Sequence, residues 1–103
     1  MNSPTPRPQA LSATAVVTQL TQLNGVTAIG WRLIEGALEK RFVFPSFHET
    51  MAFANAVAWI AHREDHHPEL ALDHGHATVR WRTYDAGGIT SLDFACAALV
   101  DAL

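Results

Sequence analysis

The segment from Phe47 to Glu64 restricts the fold most, because signals for the start and end of a helix bound it. Pro45 precedes Ser46, and Glu49 follows that serine by three residues. This is the pattern of a capping box, in which each side chain bonds the other residue's backbone N–H. Pro68 lies beyond the far end and cannot continue a helix. Apolar residues recur inside the segment at helical spacing, so we expect an amphipathic helix that lies on a sheet.

Two stretches with alternating apolar and polar residues flank this helix. The first, 26–44, turns at Glu35-Gly36, and the second, 70–84, turns at 73–75. Alternation of this kind is typical of antiparallel hairpins with one buried face. Helical patterns at 11–23 and from Thr90 to the C-terminus predict two further helices. The predicted fold is α+β, a two-layer sandwich of a four-stranded antiparallel sheet and three helices in the order α-β-β-α-β-β-α.

Composition restricts the class of protein. We expect one domain at 10–103 with a flexible tail at 1–9, where three prolines surround one arginine without an apolar run. A formal net charge of −3 argues against direct contact with nucleic acid. The first nine residues are neither a signal peptide nor a membrane span, and we expect no membrane contact. The single Cys96 excludes an intrachain disulfide, so a cytoplasmic location is expected.

The run Glu64-Asp65-His66-His67-Pro68 is the strongest chemical signal. Histidine titrates near neutral pH, so two adjacent histidines can supply one proton donor and one acceptor, as elimination of water requires. A second explanation is that His66 and His67 only stabilise the end of the helix, where the helix dipole favours positive charge.

A metal site is a further alternative from the residues alone. His62 and His66 have the four-residue spacing of metal ligands on a helix, and His74 and His76 lie beyond the next turn. No complete ligand set is recognisable, however, so we expect no metal and no cofactor. Cys96 lies among small apolar residues and is expected to pack in the core.

The sequence resembles the pterin-4a-carbinolamine dehydratase family. The resemblance covers about the last two thirds of the chain and rests on Phe42-x-Phe44, Phe53-Ala54-x-x-Val57-Ala58, Glu64-Asp65-His66-His67-Pro68-Glu69, Gly87-Gly88-Ile89-Thr90 and Asp93. It implies dehydration of 4a-hydroxytetrahydrobiopterin to quinonoid dihydrobiopterin without a metal or cofactor.

The resemblance also implies roles for residues. His66 and His67 would be the acid and base that flank the pterin, and Tyr84 holds the place of a third catalytic histidine. Tyrosine has a pKa near 10 and transfers protons poorly at neutral pH, so the expected activity is weakened. The substrate-binding residues it implies are His62, Asp65, Pro68, His74 and Asp93, although Asp93 also forms a capping-box pattern with Thr90 that gives it a structural reason.

The departures from the family pattern at His74 and Tyr84 leave an alternative function open. Relatives that act as a Rubisco assembly factor in α-carboxysomes or as a dimerisation partner of a transcription factor imply a protein without catalysis. We also expect a homodimer or tetramer. The predicted edge strands 26–33 and 70–73 contain no proline to protect them, and the last helix is apolar around much of its circumference.

Overall fold

The computed structural model describes residues 8–25 and 30–103 and confirms the predicted α+β fold and order of elements. The sheet is antiparallel throughout, with the spatial order β1-β2-β4-β3. A short 3₁₀ turn at Tyr84–Ala86, which the sequence did not predict, precedes the last helix. The elements are α1 (Ala13–Asn24), β1 (Arg32–Ile34), β2 (Ala37–Val43), α2 (Phe47–Glu64), β3 (Glu69–Leu72), β4 (His76–Trp81) and α3 (Ser91–Asp101).

The core lies between the sheet and the helices. In β4 every second side chain is fully buried, namely Ala77, Val79 and Trp81, as the alternation in the sequence predicts. Helices α2 and α3 pack on this face of the sheet, and α1 packs against α3. The broad apolar surface of α3 is thus partly covered by α1 within the same chain. No described helix is long and apolar enough to cross a membrane.

A row of alternating charges crosses the opposite face of the sheet. The strand register aligns Arg32 with Glu39, Glu39 with Arg80, and Arg80 with Glu69. The Nη1 atom of Arg80 lies 2.7 Å from Oε1 of Glu39. Opposite charges on neighbouring strands stabilise a sheet modestly. The row ends at Glu69, the first residue of β3, beside the candidate site.

Two strand boundaries differ from the expectation. The predicted first strand begins at Val26, but residues 26–29 lie outside the described part, as do residues 1–7 of the predicted tail, and β1 begins only at Arg32. The backbone of Trp31 instead exchanges two 2.8 Å hydrogen bonds with the Asn24 side chain, which hold it off the strand ladder. Strand β4 ends at Trp81, and Thr83 keeps only an isolated bridge to Gly88.

Candidate active site

The end of α2 positions the two adjacent histidines. Asp65 adopts the left-handed conformation (φ 49°, ψ 44°), which aspartate tolerates better than most residues. Its N–H donates to the carbonyl of His62 (3.3 Å), and the N–H of His66 donates to the carbonyl of Ala61 (3.1 Å). These are the two bonds of a Schellman motif, which ends the helix and turns the chain. Pro68 then disfavours helical geometry at His67, so the chain continues into β3.

The ring of His66 is held from two sides. It stacks on the fully buried Trp81, with ring centroids 5.4 Å apart and planes 17° apart. Its Nε2 atom lies 2.6 Å from Oδ1 of Asp93. The side chain of His66 is 11% exposed and that of Asp93 is 0% exposed. A buried carboxylate in this position fixes the orientation of the imidazole and balances the positive charge when the ring carries a second proton.

Asp93 also serves the start of α3. Its Oδ2 atom accepts hydrogen bonds from the N–H of Thr90 and from the hydroxyl of Thr83, both at 2.9 Å. The bond to Thr90 is the one that the predicted capping box requires of this carboxylate. The structural role expected for Asp93 is therefore present, and its contact with His66 adds a second role that the capping pattern alone did not predict.

A cleft of about 370 Å³ opens above these residues, a size within the range of small-molecule sites. The structure brings four of the predicted site residues to it, because the end of α2 and the segment after β4 meet here. We call it the histidine cleft, and its lining consists of Asp65, His66, His67, Arg82, Thr83, Tyr84 and Asp85. His67 is exposed on its wall.

Tyr84 and Arg82 form the opposite wall, and both contact Glu69, which does not line the cleft itself. The Tyr84 hydroxyl donates to Oε1 of Glu69, and the guanidinium of Arg82 lies 4.5 Å from the centroid of the Tyr84 ring. Arg82 also donates to the same Glu69 oxygen at 3.0 Å. The hydrogen bond from Tyr84, followed by that from Arg82, lowers the pKa of Glu69. Glu69 reaches Arg82 and Tyr84 because the strand register places it beside the end of β4.

His62 and His74, which were predicted as site residues, do not line the histidine cleft. The carbonyl of His74 accepts a hydrogen bond from the Thr50 hydroxyl near the start of α2, whereas His66 follows the end of that helix. His74, which the resemblance implies as a substrate-binding residue, does not line the histidine cleft, because the β3–β4 turn is at the opposite end of the hairpin from His66. The ring of His62 packs against Trp59, with centroids 5.6 Å apart.

The same geometry bears on the metal alternative. His76 pairs through Nδ1 with Asp73 at 2.8 Å in the β3–β4 turn, away from His62 and His66. Within the described residues, no group of three or more His, Cys, Asp or Glu side chains is placed to hold a metal ion.

Cys96 is fully buried in α3, as expected of a core residue. Burial, with a contribution from the carboxylates of Glu64 and Asp93, raises the pKa of its thiol to about 12. The thiol therefore stays protonated at neutral pH and is not a nucleophile.

The fold and the cleft define a small α+β protein with a cleft that is lined by two adjacent histidines. Residues 9–103 match the family model of pterin 4 alpha carbinolamine dehydratase, and the chain belongs to this family. Similar relatives from Stenotrophomonas maltophilia K279a and Chromobacterium violaceum, both provisionally named pterin-4-alpha-carbinolamine dehydratase, are 54% and 49% identical over 76 and 73 residues. The matches cover 72% and 71% of this chain and 66% and 68% of those relatives, about two thirds of their length.

Two solved structures share the fold. A transcriptional coactivator/pterin dehydratase from Brucella melitensis superposes with a TM-score of 0.82 at 26% identity, covering 91% of this chain and 97% of that one. A pterin dehydratase-like protein identified as a RuBisCO assembly factor in the α-carboxysome gives a TM-score of 0.62 at 27% identity, covering 73% and 89%.

Proposed function

We propose that this protein dehydrates 4a-hydroxytetrahydrobiopterin to quinonoid dihydrobiopterin. In this reaction the bond from C4a to the hydroxyl oxygen breaks, and the hydroxyl leaves as water after receiving a proton. A proton leaves N5, and its electron pair forms the new double bond between N5 and C4a. The reaction is balanced without an oxidant or reductant, and it requires one proton donor and one proton acceptor in the same cleft.

The contact between His66 and the buried Asp93 is the observation that carries this proposal. Because Asp93 balances a positive charge on the imidazole, His66 is the group we assign to deliver the proton to the departing hydroxyl. His67, exposed on the wall of the same cleft, accepts the proton from N5. Asp93 acts through His66 and is a positioning residue.

Tyr84, in the place of the family's third catalytic histidine, supports a weakened dehydratase activity rather than a full one. It lines the histidine cleft, but its hydroxyl donates to Glu69. A positioned general acid or base typically contributes about a hundredfold to ten-thousandfold to a rate. A site with two such groups can therefore retain activity while a third position contributes little.

A dehydratase assay of the purified protein tests the proposal. We expect the wild type to accelerate formation of the quinonoid product and His66→Ala to lose about a hundredfold or more of that rate. His48→Ala, which removes an exposed histidine near the start of α2, is the matched control. A chelator should not change the rate. Equal rates for wild type and His66→Ala would contradict the proposal.

A protein-binding role, as an assembly or interaction factor, is the second candidate. The hydrogen bond from the Tyr84 hydroxyl to Glu69 favours this protein-binding role. Because of this bond, the position of the family's third catalytic histidine has no free proton donor. The likeness to the RuBisCO assembly factor adds support, with Rubisco as the client to test by co-purification. The higher identity to the relatives provisionally named as dehydratases places the enzyme first. A cytoplasmic location is proposed for either function.

A further inference from the structure

A second cleft lies on the charged face of the sheet, where β1, β2 and β4 run side by side. It has a volume of about 200 Å³. It shares no lining residue with the histidine cleft. We call it the arginine cleft, and it is lined by Gly30, Arg32, Glu39, Lys40, Arg41 and Thr78.

We propose that the arginine cleft binds the phosphate group of a small molecule, either inorganic phosphate or a phosphate monoester, between Arg32 and Arg41. This inference is independent of the proposed function, because the two clefts are built from different residues. It assigns a binding role to two arginines that take no part in the proton transfer.

The strand register brings the two arginines together. Arg32 of β1 stands opposite Glu39 of β2, and Arg41 follows Glu39 by two residues. Side chains two residues apart on a strand share one face of the sheet. Arg32 and Arg41 are therefore diagonal neighbours, a relation in which residues lie about 7–8 Å apart. Two guanidinium groups at this spacing can each donate two hydrogen bonds to the oxygens of one phosphate group between them.

Both arginines are available for a ligand. Their side chains are exposed and form no hydrogen bond or ion pair with any residue that the structure describes. Arg32 stands opposite Glu39, but the Glu39 carboxylate lies 2.7 Å from the guanidinium of Arg80 instead. The negative charge in the cleft is thus already balanced from the other side, by β4.

The remaining charge of the cleft is positive. Lys40 also contributes to the lining, but its ammonium group pairs with Asp101 at 2.8 Å. Arg32 and Arg41 therefore leave two positive charges without a counter-charge among the described residues. A phosphate monoester carries about 1.5 to 2 negative charges at pH 7 and balances both. A carboxylate carries one and balances only half of this charge.

Thr78 adds a neutral donor. It stands opposite Arg41 in the pairing of β2 with β4, and its hydroxyl forms no hydrogen bond within the described part of the chain. Arginine together with a threonine hydroxyl is a combination that recurs in contacts to phosphate oxygens. Gly30, on the β1 side, contributes no side chain and leaves room beside the two arginines.

The size of the cleft and the charge of the whole chain favour a small ligand over a nucleic acid. The cleft is smaller than the pockets of about 300–1,000 Å³ that hold drug-sized molecules. A formal net charge of −3 disfavours a long polyanion, whose affinity depends on many phosphate contacts. A single phosphate group responds mainly to charges within a Debye length, about 8 Å at physiological salt.

Titration of the ¹⁵N-labelled protein, followed by NMR, tests the inference. Inorganic phosphate, glycerol 3-phosphate and chloride are added separately at pH 7 and constant ionic strength. We expect at least one of the two phosphates to cause saturable shifts of the backbone signals of Gly30, Arg32, Arg41 and Thr78, and chloride to cause none. Tighter binding of glycerol 3-phosphate would identify a monoester as the ligand, and tighter binding of inorganic phosphate would identify the free ion.

Three variants assign the binding to this cleft. Arg32→Gln and Arg41→Gln should each weaken phosphate binding about tenfold or more, since each removes charged hydrogen-bond donors. Thr78→Val keeps the shape of the side chain, removes the hydroxyl and should weaken binding about threefold. Arg63→Gln is the matched control, because it removes the same charge from an exposed arginine of α2 outside the cleft, and it should keep the wild-type affinity.

The absence of saturable shifts with both phosphates would overturn the inference. Wild-type affinity in a folded Arg32→Gln or Arg41→Gln variant would also overturn it. A loss of affinity in Arg63→Gln as large as in these two variants would show a general effect of charge and contradict a site at the arginine cleft. The proposed function would stand in each of these cases.

Discussion

The two walls of the histidine cleft differ in burial. On one wall, His66 is held between the fully buried Trp81 and Asp93. On the other, Tyr84 is 68% exposed and contacts Glu69, which is itself exposed. Burying a carboxylate without hydrogen-bond donors costs free energy of folding, so the stability of the fold depends on the partners of Asp93. Exposed charged contacts are screened by water and contribute little to stability.

Because of this difference, we expect the two walls of the histidine cleft to have different roles. The buried wall fixes one imidazole where a fixed distance to a reacting atom matters. The exposed wall can rearrange around a ligand at low cost, because water replaces its contacts. We therefore expect substitutions on the buried wall to affect both folding and rate, and substitutions on the exposed wall to affect rate and selectivity.

The largest expected effect is on stability. Asp93→Ala leaves the N–H of Thr90, the Thr83 hydroxyl and the His66 ring without their acceptor, and should lower the free energy of unfolding by about 3 kcal/mol. Glu69→Ala, which removes the exposed partner of Tyr84, should change this free energy little. Urea denaturation of both variants measures the difference, and similar losses of stability would show that the two contacts contribute equally to the fold.

The next effect is on rate. Tyr84→His supplies the imidazole that the family resemblance implies at this position and should raise dehydratase activity by about tenfold or more. Tyr84→Phe removes only the hydroxyl and separates loss of the contact with Glu69 from gain of an imidazole. Steady-state rates of the three proteins decide, and a Tyr84→His rate no higher than wild type would show that this wall has no part in proton transfer.

Self-association through β3 would cover part of the exposed wall. The edge strand β3 begins at Glu69, and its Leu70 and Leu72 are 37% and 40% exposed. An unprotected edge with exposed apolar side chains favours pairing with a second copy. We therefore predict at least a symmetric dimer. Light scattering at micromolar concentration measures the mass, and a single chain of 11.2 kDa would contradict the prediction.

The smallest effect concerns the β3–β4 turn. Hydrogen bonds from the Gly75 N–H and then from His76 lower the pKa of Asp73 in the folded state. The charged form therefore stabilises the fold above the unfolded pKa, and this contribution is lost as pH falls through the lowered folded pKa. Near neutral pH, the free energy of unfolding of the wild type should be slightly higher than that of Asp73→Asn. In strong acid, the two proteins should be equally stable. A difference that persists unchanged in acid would contradict this.

The sequence predicted the parts of the fold that depend on local signals. Ser46 accepts the N–H of Glu49 at the start of α2, and Pro68 follows its end, as their positions indicated. Within the described residues the first strand begins at Arg32, because the side chain of Asn24 and not a neighbouring strand holds the backbone of Trp31.

The site was less accessible to sequence reasoning. The contact between His66 and Asp93 joins residues 27 positions apart and depends on how the start of α3 meets the end of α2. His74 does not line the histidine cleft, because the length of the β3–β4 hairpin separates its turn from His66. Glu69 and Arg82 were not predicted as site residues, because their contact depends on the pairing of β3 with β4.

We propose that Asp93 acts through His66 in proton transfer, and a double-mutant cycle is the sharpest test of this coupling. Dehydratase rates are measured for wild type, His66→Ala, Asp93→Asn and the double variant, after circular dichroism has shown that each is folded. Because the two residues act as one unit, the double variant should be about as slow as His66→Ala alone. Rate losses that multiply, or a His66→Ala rate equal to wild type, would contradict the account.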